Sequence, residues 1–132
     1  MDRTRMLLKA SVIFAAVGVI MGSHMAGAGS PSLSPIHAHI LVVGWLSLFA
    51  FGIFYRVFTI SKTSKLANVQ TWTAVFGSIG LTLGMYLHYF EPGPIPDLVY
   101  LLFYIIGGTI LAVSFFIFAF IVFMFQEEVT EN

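Results

Sequence analysis

The chain has 132 residues, of which 58% are hydrophobic and only 9% charged, and its formal net charge is zero. A water-soluble domain carries about 25% charged residues, so this chain reads as one all-α integral membrane domain with the lipid bilayer as its first partner. The absence of cysteine excludes disulfides, iron–sulfur clusters and thiolate metal sites, and without a basic stripe along one element there is no nucleic-acid partner.

A basic start with Arg3, Arg5 and Lys9 precedes an apolar run over residues 10–29. Ala26-Gly27-Ala28 resembles the small-residue cleavage site of a secretory signal. The length of the run, close to the roughly 20 residues a bilayer crossing needs, favours a first transmembrane helix instead. Gly18 and Gly22 form a G-x-x-x-G that lets another helix approach closely. His24 lies near the far end of this helix.

A Ser/Pro loop over 30–35 ends the first helix and restarts the second, expected over 36–60. That helix opens with His37 and His39 and nears its end at Arg56. A polar loop with Lys62 and Lys65 leads to a third helix over 70–90, with His88 near its end. A turn bounded by Glu91 and Asp97 leads to a fourth helix over 98–125, followed by an acidic tail. Four spans put both termini on one side, together with all six Lys and Arg residues. The positive-inside rule then makes that side the cytoplasm, with a bacterial inner membrane as the expected location.

This topology brings His24, His37, His39 and His88 to the outer ends of three different helices. Such a residue is often an interfacial group or a helix–helix hydrogen-bond partner. The pair His37 and His39 points beyond that. At about 100° per residue, side chains two apart lie about 200° apart on a helix. They suit two sites flanking one helix, or a flat ligand held between helices, rather than one chelated ion. Neutral imidazole is a good axial ligand for haem iron. Gly44 falls on the His37 face, and Gly77, Gly80, Gly84 and His88 form a stripe on the third helix. Such a stripe receives a porphyrin or, more commonly, another helix.

From His37 to Tyr55 the sequence reads H-x-H-x4-G-W-x5-F-G-x2-Y, through Gly44, Trp45, Phe51 and Gly52. This resembles the tenth helix of subunit I in the haem–copper oxidase superfamily, closest to the cbb-type cytochrome oxidases. The resemblance implies haem b, with His37 similar to the high-spin haem ligand and His39 to the low-spin one, and with Gly44 and Trp45 beside them. It sets His88 where the family's seventh helix carries copper ligands; His24 has no counterpart. The family's helices form three arcs of four about a pseudo-threefold axis. One such unit here implies a homotrimer with haem between subunits, supplied by an electron donor. The family's copper-ligand pair and cross-linked tyrosine have no match, and no Asp, Glu or Lys falls within the expected helices two to four. Proton-pumping oxidase activity is therefore not expected. Two other readings stand beside this one. A haem-free copper or zinc site would use His24, His37 or His39, and His88, with Met21, Met25 and Met85 as soft ligands. A structural subunit of a respiratory complex would use the histidines only for packing.

Overall fold

Apolar helices that bury few side chains among themselves dominate this chain. The computed structural model describes residues Met1–Met124 as four helices, with no strand among the described residues. They are α1 (Arg3–Ala28), α2 (Ser34–Val57), α3 (Lys65–Phe90) and α4 (Asp97–Met124). The expected acidic tail lies outside the described residues.

Capping residues set boundaries that hydropathy alone misplaces. The Asp2 carboxylate accepts the Arg5 backbone N–H at 2.9 Å, so α1 starts at Arg3 and takes the basic residues into its first turns. It closes at Gly29, whose φ of 60° is the left-handed conformation that glycine adopts without penalty. α2 opens with Pro35 in its first turn and stops at Val57, because Phe58 turns extended. The expected end at residue 60 is therefore too late. The carbonyls of Ile60 and Ser61 instead accept the guanidinium of the buried Arg3. α3 begins at Lys65 rather than residue 70, since Ser64 accepts the Ala67 N–H. Lys65 and Asp97 thereby become the first residues of α3 and α4, which corrects the expectation that these helices hold no Lys or Asp.

Three helices, α1, α2 and α4, are long and apolar enough to cross a membrane. α3 has 26 residues but is more polar. Its polar groups face inward: Gln70, Thr71, Ser78 and Thr82 are buried. Thr71, Ser78 and Thr82 donate to the carbonyls of Ala67, Ala74 and Ser78, one turn back. Each hydroxyl is thus satisfied within its own helix, which is how such residues are tolerated away from water.

The helices pair as two hairpins. α1 packs on α2, where Gly18 lies under Ile40 and Leu41, Gly22 under His37, and Gly52 against Leu7 and Leu8. α3 packs on α4 along its glycine stripe: Gly77 meets the Leu111 backbone, Gly80 meets Gly107, and Gly84 meets Tyr104. Two apolar clusters join the hairpins. Leu7, Leu48, Phe51 and Ala74 sit towards the basic end, where Phe51 also packs on Phe118 with centroids 4.4 Å apart. Ile36, Ile40 and Met85 sit towards the histidine end. The outer face of α4 stays uncovered, with Phe116 and Phe123 75% and 73% exposed.

Candidate functional site: the histidine end of the bundle

His37 and His39 occupy the first turns of α2, in regular α-helix, immediately before a π-helical stretch over Ile40–Ser47. The wide turn is marked by the Ser47 hydroxyl, which donates to the Val42 carbonyl five residues back at 2.8 Å. π-helical segments are rare and occur often at functional sites. No residue pattern announced it, because the stretch is apolar except for Ser47 at its end.

The two imidazoles face different surroundings, as their angular separation requires. The half-buried His37 packs on α1; a methyl at Gly22 would stand 3.0 Å from its Cε1. Its Nδ1 is buried without a hydrogen-bond partner. The half-buried His39 lines a shallow concavity of about 190 Å³ with Ala38, Val42 and Val43. Its Nδ1 lies 2.7 Å from the Pro35 carbonyl oxygen. A carbonyl only accepts, so this bond puts the proton on Nδ1 and leaves the lone pair on Nε2.

Gly44 shares the α1-facing side with His37, as the spacing implied, but the space above it is filled by the Phe14 ring. That glycine seats a side chain rather than a flat cofactor. Trp45 is 44% exposed on the outer surface. The α3 stripe is likewise a helix-packing surface, occupied by the α4 backbone. His88 lies at the end of that stripe, its ring stacked near Tyr104 with centroids 5.8 Å apart and its Nδ1 buried without a partner. His24 is exposed near the end of α1.

The histidines thus share one end of the bundle. Among the described residues, no three His, Asp or Glu side chains form a group that could hold a metal ion. The larger spaces lie deeper, in two apolar grooves of about 360 and 300 Å³ that share Phe14, Ile40, Ile79 and Thr82. No histidine lines either groove, so neither offers an imidazole. Comparison with known protein families, curated proteins and solved structures finds no match. The reading of this end therefore rests on the chain's own residues.

Proposed function

We propose that this chain is a four-span inner-membrane protein that binds haem b at the His39 face of α2. It would serve electron transfer, or the binding of a small gas such as oxygen or nitric oxide, near the outer surface. The observation that carries this reading is the hydrogen bond from His39 Nδ1 to the Pro35 carbonyl. Metal-ligating imidazoles are held this way: the second nitrogen is tied to a carbonyl, which fixes the tautomer and raises the basicity of the free one. Val42 and Val43 supply an apolar wall beside that nitrogen. When bound, haem would supply reversible iron redox chemistry or an open coordination position.

The donor fits; the enclosure from one chain does not. A concavity of about 190 Å³ is smaller than the roughly 300 Å³ of the smallest ordinary ligand pockets. The remaining wall would come from a second copy, and a homotrimer repeats the arcs of the oxidase-like arrangement. His37 is the second candidate ligand, but its ring is covered by α1 at Gly22, so this side is not open to a neighbouring protomer as a two-faced arrangement requires. In that shared arrangement His88 and His24 would contribute from another copy. Among the described residues no group of three His, Asp or Glu side chains supports a haem-free copper or zinc site within one chain. α3 counts as a span because the buried hydroxyls of Thr71, Ser78 and Thr82 are satisfied within the helix, and its 26 residues, about 39 Å of helix, exceed the roughly 30 Å hydrocarbon thickness.

The test is an absorption spectrum of the purified protein before and after dithionite. Sharp Soret and α bands are expected in the wild type and lost in His39→Ala. A flat spectrum from haem-sufficient cells, or bands unchanged in His39→Ala, refutes the assignment. A clean monomer in mild detergent removes the shared site.

A further inference from the structure

At the opposite end of the bundle, α1 and α2 flank a cleft of about 510 Å³ lined by Arg5, Lys9, Arg56 and Lys62. We propose that this cleft binds the phosphate group of an anionic phospholipid. Four of the chain's six Lys and Arg residues meet here. The single acid in the lining, Asp2, is already engaged: its carboxylate accepts the Arg5 N–H at 2.9 Å and lies 3.4 Å from Arg5 Nε. That is the only ion pair among the described residues. Asp2 also lies within electrostatic reach of Lys62, so Arg5, Lys9, Arg56 and Lys62 share a single carboxylate and the cleft keeps a surplus of positive charge. Arg3 does not line the cleft; its guanidinium donates to the loop carbonyls and lies over the Tyr55 ring, 5.1 Å away.

A surplus of cations in a concave site attracts an anion. Guanidinium and ammonium groups together are suited to phosphate oxygens, the first by paired hydrogen bonds and the second as a point charge. The hydroxyl-bearing Thr4 also lines the cleft and adds a donor. What selects a lipid over free phosphate is the surface beside the cleft. One turn along α1 from Lys9 stands Val12, 64% exposed, and one turn along α2 from Arg56 stands Ile53, 40% exposed. Acyl chains can lie against these side chains while the headgroup stays in the cleft. Basic pockets between helices on the cytoplasmic side bind anionic headgroups by this arrangement. The proposal rests on the membrane reading and is independent of haem.

Native mass spectrometry of the full chain tests it, with equal amounts of phosphatidylglycerol and phosphatidylcholine of the same acyl chains. The wild type is expected to retain phosphatidylglycerol preferentially. Arg56→Gln with Lys62→Gln should weaken that retention by about fivefold per cation removed. Lys65→Gln, outside the cleft, should leave it unchanged, and circular dichroism of each variant verifies the fold. Equal retention of the two lipids, or unchanged retention in the double variant, overturns the proposal. Displacement of the lipid by inorganic phosphate alone also overturns it and assigns the cleft to the free anion. Any bound haem is weighed in the same spectrum, so failure of one site is distinguished from failure of the other.

Discussion

Gly84→Ala tests how closely the backbones of α3 and α4 approach. A Cβ added there would stand 2.6 Å from Tyr104 Cα and 3.0 Å from its N. Carbon atoms rest at about 3.5–4.0 Å, so α4 must retreat by about 1 Å. These nearest atoms belong to the backbone, not to the end of a flexible side chain, so the helix itself has to move. A gap of about 0.5–1 Å forfeits a quarter to a half of each dispersion contact along the seam, and overpacked sites lose about 1–3 kcal/mol. Against this stands a gain of up to about 1 kcal/mol for replacing a mid-helix glycine. Gly108→Ala isolates that gain, since its Cβ would sit 3.5 Å from the end of the Leu81 side chain, an ordinary contact. The expected outcome is a Gly84→Ala protein about 1–2 kcal/mol less stable than wild type, and a Gly108→Ala protein equal to it or slightly more stable. Unfolding followed by circular dichroism in one detergent measures both. A Gly84→Ala protein as stable as Gly108→Ala refutes the close approach, and with it the placement of Tyr104 beside His88.

Arg3→Gln should cost about 2 kcal/mol, because the carbonyls of Ile60 and Ser61 lose a charged donor; faster tryptic cleavage at Lys62 would report the freed loop, and an unchanged rate would count against the contact. Tyr55→Phe removes the 3.0 Å hydrogen bond to the buried Gln70 Oε1 and should cost about 1 kcal/mol in the same unfolding assay. The Arg5 N–H holds the Asp2 carboxyl below its ordinary 3.8; desolvation opposes it, and the positive charges of Arg5, Lys62 and the N-terminus add to the lowering. The cap is therefore complete above that ordinary value and is lost as pH falls through the lowered one. Protection of the Arg5 amide from exchange should fall over that acidic range and become independent of pH in Asp2→Asn. Reporter fusions in the loops near Ser32 and Gly93 should report the outer side and one near Lys62 the inner side; a cytoplasmic signal at Gly93 would remove α3 as a span.

Composition and the order of residues alone established an all-helical chain with membrane-length apolar runs. Hydrophobicity is a sum over residues and needs no neighbours. The same holds for the separation of His37 and His39, which follows from the pitch of a helix and is realised as one imidazole against α1 and the other on the outer surface. Caps were present in the sequence as Asp2 and Ser64, and their short reach explains why α1 and α3 start before their apolar runs do. Packing decided the rest. Whether a glycine is a slot for a cofactor or a seat for a neighbour depends on what a distant segment places above it. Gly44 is filled by Phe14, and Gly77, Gly80 and Gly84 by the backbone of α4. The π-helical turn after His39 comes from how an apolar segment fits its neighbours, so no local pattern encodes it. The convergence of Arg5, Lys9, Arg56 and Lys62 on one cleft likewise exists only once α1 and α2 lie antiparallel, because charges far apart in sequence share a site only through the fold.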